Sequence, residues 1–270
     1  MQLSIIIVNY NTGALSSACI ESCLAQKLPP NTQIIVVDNN SHDNSVSFLR
    51  SDFPEITVIE NKVNAGLAAG VNRALQEAKG EYYLLLNPDI IALPGSIQIL
   101  LDFLKEHSEV GVAGGQLLSP NGKIQYSCFR FYTLMTIIYR RTVLGRTARG
   151  KRAISSFLMK DFDHRSTRDV DWLMGSCLML RGTAIKEVGG MDERFFLYFE
   201  DVDWCRRFWQ NGWRVTYVPS SQYSHFHQRS SQRGALGGII TNWATREHIR
   251  SAIKYFFKYV RAPLPRRINT

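Results

Sequence analysis

At 270 residues with 45% hydrophobic content, the chain can bury a substantial core in one domain, with room for a C-terminal appendage, and its composition argues against disorder. The net charge of +9 is unevenly placed. Seven cations and no acid lie between Arg130 and Arg152, seven more accompany Glu247 alone between Arg246 and Thr270, and the remainder is net acidic. Two basic segments on a mildly acidic body suit an anionic partner, either membrane lipid or nucleic acid. Five cysteines, an odd number without C-x-x-C spacing, fit buried thiols in a reducing cytosol. The N-terminus has no cationic leader, and no uncharged apolar run reaches about 18 residues, so neither secretion nor a membrane span is expected.

Along the chain, Leu3–Val8, Gln33–Val37, Ile56–Ile59 and Tyr82–Leu86 read as short strands. Helix-compatible stretches at Ser16–Gln26, Ser45–Ser51 and Leu67–Ala78 separate them. Strands alternating with helices predict a parallel sheet with right-handed crossovers, whose ligands bind at the carboxyl ends of the strands. The residues there are polar each time: Asn9-Tyr10-Asn11, Asp38-Asn39-Asn40-Ser41, Asn61, and Asn87-Pro88-Asp89. Neither a G-x-G-x-x-G fingerprint nor a P-loop is present. Asp38 can accept hydrogen bonds from a base or ribose, and Asp89 can reach a divalent cation on a diphosphate. Each is equally suited to a turn, because Asp and Asn favour turns.

Further on, Gln116–Arg130 with Pro120-Asn121-Gly122 predicts a hairpin, and Gly145–Asp169, rich in Arg, Lys, Ser and Thr, reads as a mobile loop near the active site or the membrane. Glu200, Asp201 and Asp203 place three carboxylates within four positions, behind Phe195, Phe196, Tyr198 and Phe199. Beside that apolar wall poor solvation favours a raised proton affinity, and such a carboxylate can act as general base toward a hydroxyl. In the alternative reading the acids only cap the following helix and complement its dipole. Asp203 is expected to pair with Arg206 or Arg207. Trp204, Trp209 and Trp213 could stack on sugars but suit core packing better.

At the C-terminus Arg246, Arg250, Lys254 and Lys258 recur every four residues beside an apolar stripe of Ile249, Ile253, Phe256, Phe257 and Val260. That pattern is an interfacial helix at an anionic membrane surface, and nucleic acid is set aside. A helix packed on the body with a solvated face is the plainer alternative.

Several segments, in this order, resemble the family 2 glycosyltransferases of GT-A fold, in their rhamnosyltransferase-like branch. They are Ile5–Asn11, Val36–Asp43, Asn64–Asn72, Leu85–Asp89, Gly175-Ser176-Cys177, Gly189–Phe196, Glu200-Asp201, and His225 with Ser230. The resemblance implies an α/β fold with a nucleotide-binding, parallel-rich central sheet flanked by helices. It would fill residues 1–231, with a nucleotide-sugar half at 1–115, an acceptor and catalytic half at 116–231, and a basic amphipathic helical segment at 232–270. It implies nucleotide-sugar contacts from Val8, Asn9, Asp38, Asn64, Ala65, Gly66, Asn72, Asn87 and Asp89. Asp89 and His225 would hold Mg²⁺ or Mn²⁺, with His227 competing for the second place. Asn87 stands where the family's Asp-x-Asp motif has its first acid, so one carboxylate and the donor diphosphate carry most of the neutralisation.

Asp201 is then the base of an inverting transfer and Glu200 orients a substrate. The resemblance suggests dTDP-L-rhamnose as donor and a polyprenyl-diphosphate-linked saccharide as acceptor, in cell-surface polysaccharide assembly at the inner face of the membrane. A transferase with another nucleotide sugar and a nucleotide-sugar-binding protein without turnover are the rivals. A glycosidase would leave the strand-end residues without purpose. A homo-oligomer stays open.

Overall fold

The computed structural model describes residues 2–226 and 242–265. Its first half runs β1 (Leu3–Asn9), α1 (Gly13–Leu24), β2 (Gln33–Asp38), α2 (Ser45–Asp52), β3 (Thr57–Glu60), α3 (Leu67–Glu77), β4 (Tyr82–Leu86), β5 (Ile90–Ala92), α4 (Ser96–Glu106) and β6 (Val110–Leu118). Then come β7 (Ile124–Gln125), β8 (Cys128–Phe129), α5 (Leu134–Arg141), α6 (Ala148–Phe157), β9 (Arg168–Asp169), β10 (Trp172–Leu173) and β11 (Cys177–Arg181). The chain continues through α7 (Gly182–Val188), α8 (Glu200–Gln210), β12 (Arg214–His225) and α9 (Trp243–Lys258).

The main sheet has the order β3-β2-β1-β4-β11-β6-β12-β5. β1, β2, β3 and β4 pair in parallel, β11 runs antiparallel to both β4 and β6, and β6 and β12 are parallel to each other. The carboxyl ends of β1, β2, β4, β6 and β12 therefore emerge on one edge. A boundary at residues 115 and 116 falls inside β6, so one sheet spans both proposed halves.

Both faces of the sheet are covered, and the strands alternate between two cores as the two-residue pleat requires. Ile6, Val8, Ile35 and Val37 pack toward α3, α8 and α9, while Ile5, Ile7, Ile34 and Val36 pack toward α1, α2 and α4. At roughly 1.5–3 kcal/mol for each buried Ile or Val, this double burial is the main force assembling the sheet.

The strands and helices expected in the first 90 residues are all present, shifted by at most three residues. The hairpin after Gln116 is real, with Gly122 at φ +77° and Ser119 N–H donating to Lys123 O at 2.8 Å, but its return arm is only β7. Gly145–Asp169 is only partly a loop: α6 takes Ala148–Phe157, capped by the Thr147 hydroxyl on Gly150 N–H and pinned by buried Phe157 against Phe129 and Tyr132, and residues 158–167 run without helix or strand to β9. Trp204 and Trp209 are core residues, as expected. Asp203 takes Arg207 at 2.8 Å, whereas Arg206 turns to the Tyr255 hydroxyl and the carbonyls of Ala262 and Pro263.

The C-terminal helix departs most from expectation. α9 does not present its cations as one solvent face: Lys258 bonds Asp192 at 2.6 Å and Asp203 at 2.5 Å, and Lys254 donates to Arg194 O. Ala244, Ser251, Ala252 and Tyr255 are buried against the body, and Ile249 and Phe256 are half-buried. What faces outward is one row, Trp243, Arg246, Arg250, Ile253, Phe257 and Val260, with Phe257 and Val260 each 76% exposed. The helix packs because a second, inward row of small and aromatic residues matches the core, a row that lay between the two patterns read from sequence. Among the described residues no helix is long and apolar enough to cross a membrane. His227, Ser230 and the 231/232 boundary lie outside the described residues.

Candidate active site

The sheet edge delivers two different kinds of polar cluster. At the ends of β1 and β2, the Asn9 amide donates to Asp38 Oδ1 at 2.7 Å and to the Ser41 hydroxyl at 3.1 Å. Its oxygen accepts from the Thr12 and Ser16 hydroxyls, both at 2.8 Å. Asp38 also accepts from Ser41 N–H and from the Ser41 hydroxyl. Asn9 and Asp38 are buried, and their polar atoms are matched to one another. Val8 is a core side chain under α3.

Asn64 accepts from Gly66 N–H at 3.0 Å and shapes the turn into α3. Gly66 has φ +90°, and a Cβ there would lie 2.4 Å from Phe196 O, so only glycine fits. Ala65 is exposed on that turn. Asn72, one turn into α3, is engaged elsewhere: its amide group exchanges hydrogen bonds with the Met191 backbone, both 2.8 Å, and reaches Glu193. It docks the 189–196 segment onto α3.

The second cluster surrounds a cleft of about 460 Å³ that brings together Asn87, Asp89, Glu200, Asp201 and His225. His225 arrives because β12 pairs with β5, setting His225 opposite Ile90, next to Asp89. His225 Nε2 lies 3.4 Å from Asp89 Oδ2. Its Nδ1 is 3.0 Å from Gln125 Oε1, and the Gln125 amide donates to His225 O at 3.0 Å, so β7 fixes the ring. Because the Gln125 oxygen can only accept, the matching tautomer carries its proton on Nδ1 and turns the Nε2 lone pair toward the carboxylate. An oxygen and an imidazole nitrogen so placed, with the second nitrogen anchored by an amide, suit a divalent cation such as Mg²⁺ or Mn²⁺. Among the described residues no cluster of three or more His, Cys, Asp or Glu side chains adds to this pair.

The acids sit at the first turn of α8, entered through Tyr198 and Phe199, both in the left-handed region at φ +67° and +70°. Two successive non-glycine residues there hold backbone strain of order 1–2 kcal/mol each. That turn aims Glu200 and Asp201 into the cleft. Asp201 accepts from Gly175 N–H at 3.0 Å and Val202 N–H at 2.8 Å, yet burial raises its pKa to about 6. Glu200 is pushed well up by burial and then by the Asp201 charge, and its buried Oε2 has no hydrogen-bond partner among the described residues. The N-cap, Phe199, offers no side-chain cap; Asp201 does accept a first-turn N–H of α8, but capping gives no account of Glu200, whose Oε2 stays unmatched among the described residues.

The turn before β11 couples the two ends of the cleft. Gly175 N–H holds Asp201, and Ser176 O accepts from Asn87 N–H at 3.0 Å. The aromatic wall is built differently from expectation: Phe195 is in the core and Phe196 meets Trp243 edge to face, while Tyr126, Phe129, Tyr132 and Trp172 join Tyr198 and Phe199 around the cleft. Sequence reasoning assigned no role to Gln125 or to His248 of α9, and read Arg140 and Lys160 only as members of a basic segment and of a loop; all four line it. A polar residue on the hairpin arm was the only local signal for Gln125.

A family model described as Glycosyl transferase family 2 matches residues 4–170, more than half of the chain. The chain belongs to glycosyltransferase family 2. A second model, Glycosyl transferase family group 2, matches residues 93–261. The chain is 30% identical over 243 residues to an N-acetylglucosaminyl-diphospho-decaprenol L-rhamnosyltransferase of Mycobacterium tuberculosis, covering 86% of this chain and 78% of that protein. It is 26% identical to rhamnosyltransferase WbbL of Escherichia coli, covering 69% of this chain and 66% of that one. In sequence it is thus rhamnosyltransferase-like. Among solved structures it is similar to a mannosyltransferase from Pyrobaculum calidifontis in complex with GDP-Man and Mn²⁺, with a TM-score of 0.64 and 17% identity. That likeness covers 98% of this chain and 66% of the other, and shows the GT-A fold.

Proposed function

We propose that the chain transfers L-rhamnose from dTDP-L-rhamnose, with inversion, to a hydroxyl of a polyprenyl-diphosphate-linked saccharide in cell-surface polysaccharide synthesis. The observation that carries this reading is the pairing, in one cleft, of a carboxylate with a pKa near 6 and an Asp–His couple suited to a cation. The names of the rhamnosyltransferase relatives support the choice of sugar and acceptor.

In this mechanism Asp201 takes the proton of the acceptor hydroxyl, and that oxygen attacks the anomeric carbon from the face opposite the diphosphate. The new C–O bond forms as the bond to the diphosphate breaks, and its electron pair leaves with the nucleoside diphosphate. Glu200, protonated beside Asp201, can donate a hydrogen bond to a sugar oxygen. Mg²⁺ or Mn²⁺ held by Asp89 and His225 would supply positive charge for the leaving diphosphate. Val8, Asn9, Asp38, Asn64, Ala65 and Gly66 frame the nucleotide end, with Asn87 beside Asp89, and Asn72 acts at one remove by fixing the 189–196 segment. The outward row of α9 would rest on an anionic leaflet at the inner face of the membrane.

The test is a panel of nucleotide sugars assayed with a short-chain lipid-linked acceptor, with and without EDTA. Transfer of rhamnose that stops in EDTA and resumes with Mg²⁺ or Mn²⁺ is expected. Transfer of a different sugar corrects the donor, binding without transfer favours the non-catalytic rival, and full activity in EDTA removes the cation.

A further inference from the structure

The cleft holds more positive charge than the proposed chemistry uses. Arg140 and Lys160 line it together with Asp89 and Asp201. Arg140 donates to the Tyr132 hydroxyl at 2.7 Å, and its guanidinium carbon lies 4.9 Å from the centre of the Phe157 ring and 5.8 Å from that of Tyr132. Aromatic rings steer a guanidinium without neutralising it. Among the described residues Arg140, Arg141 and Lys160 have no carboxylate within 4.0 Å, unlike Arg130, which faces Asp161, or Arg207, which faces Asp203. Like charge accumulates as a result: burial, and then Arg140, disfavour the charged form of Arg141.

The same wall carries an unused hydrogen-bonding group. The His248 ring lies tilted to Tyr198 at 5.1 Å and edge-on to Phe199 at 5.3 Å, and its buried Nδ1 has no hydrogen-bond partner among the described residues. Burial, followed by Arg141 and Arg140, lowers its pKa to about 3, so the imidazole is neutral at working pH.

Resting on the transferase reading above, we propose that Arg140 and Lys160, with His248 beside them, form a second anion subsite that takes the prenyl diphosphate of the lipid-linked acceptor. Three considerations select the acceptor over the donor. In the proposed mechanism the donor diphosphate is served by the Asp89–His225 end. Arg140 lies on the side of the base instead, since Tyr132, which it grips, stacks on Phe199 at 4.8 Å, and Phe199 directly precedes Glu200 and Asp201. Finally, α5 and the turn after it expose Leu134, Met135, Val143 and Leu144, an apolar continuation suited to a prenyl chain and of no use to a nucleotide. A guanidinium matches the oxygen pairs of a diphosphate in two parallel hydrogen bonds, and Lys160 adds a point charge.

The experiment is a calorimetric titration of the full chain with farnesyl diphosphate and with farnesol, in EDTA so that the Asp89–His225 end holds no cation. The diphosphate should bind more tightly than the alcohol. Combining Arg140→Gln with Lys160→Gln should weaken the diphosphate about 10- to 100-fold and erase the preference, whereas Arg140→Lys, which keeps the charge but loses the paired donors, should fall between the double variant and wild type. Binding of dTDP with Mn²⁺ by the same variants reports that they are folded and that the donor end is intact. The proposal is overturned if the wild-type chain does not prefer the diphosphate, if the double variant binds it unchanged, or if dTDP is weakened to the same degree. Because no sugar is transferred in the titration, failure of every donor in the activity panel would leave its outcome separately readable.

Discussion

The polar cluster at the ends of β1 and β2 and the acidic turn at the start of α8 are built on opposite principles. Asn9, Asp38, Ser41, Thr12 and Ser16 satisfy one another completely within the fold. Glu200 is buried with one carboxylate oxygen unmatched and Asp201 is half-buried beside it, behind two residues of strained backbone, and both bind protons more tightly than usual. A matched cluster makes a rigid frame that a ligand can lean on; an unmatched one keeps free energy available for a proton that arrives with the substrate.

The contrast is broken most directly at Asp201. Asp201→Asn should reduce turnover by a factor on the order of 10²–10⁴ while donor affinity stays close to wild type, because a base serves the acceptor. Should Glu200→Gln be the dead variant and Asp201→Asn remain active, the two roles must be exchanged. The same substitution has a stability signature. The folded pKa of Asp201 is above its ordinary value, so the folded chain binds the proton more tightly and wild-type stability falls as pH rises through the interval from about 4 to about 6. Asp201→Asn should therefore melt higher than wild type above pH 6, with the gap closing toward pH 4.

Next in size is the ring anchor. Gln125→Ala frees Nδ1 of His225 and should raise the Mn²⁺ concentration needed for half-maximal nucleotide binding by about 10- to 100-fold, the usual effect of losing a ligand's outer partner. An unchanged metal requirement would mean that Gln125 only closes the hairpin.

On the matched side, Asn9→Ala takes one donor from Asp38, which keeps Ser41, strands the Thr12 and Ser16 hydroxyls, and should cost about 1–3 kcal/mol in urea denaturation. Loss of nucleotide affinity with no loss of stability would instead make Asn9 a ligand contact and erase the contrast. The smallest effect concerns the outer row of α9. Arg246→Glu with Arg250→Glu should weaken binding to anionic vesicles by about 1 kcal/mol for each cation removed, in a salt-dependent way. Lys258 is unsuitable for that test, since its reversal would set a third carboxylate against Asp192 and buried Asp203. Persistence of vesicle binding would shift attention to the exposed apolar residues of α5.

Much of this protein was readable in one dimension. Strand runs such as Tyr82–Leu86, the polar tips after each strand, the hairpin turn at Gly122 and the clustered acids are local patterns, fixed by side-chain periodicity and turn chemistry within a few residues. Family membership was legible for the same reason, as a series of short motifs in order. Tertiary structure alone decided which polar groups were already satisfied, since Asn9 meets Asp38 across 29 residues and His225 meets Gln125 across 100. It also decided that Asn72 grips Met191 and that His248 reaches the cleft. The same holds for α9, whose cations sort into a buried and an outward set only once the body supplies Asp192 and Asp203. Sequence sets the chemistry that each position can offer; burial and partners, which arise when distant segments pack, determine whether that chemistry is consumed by the fold or left for a substrate.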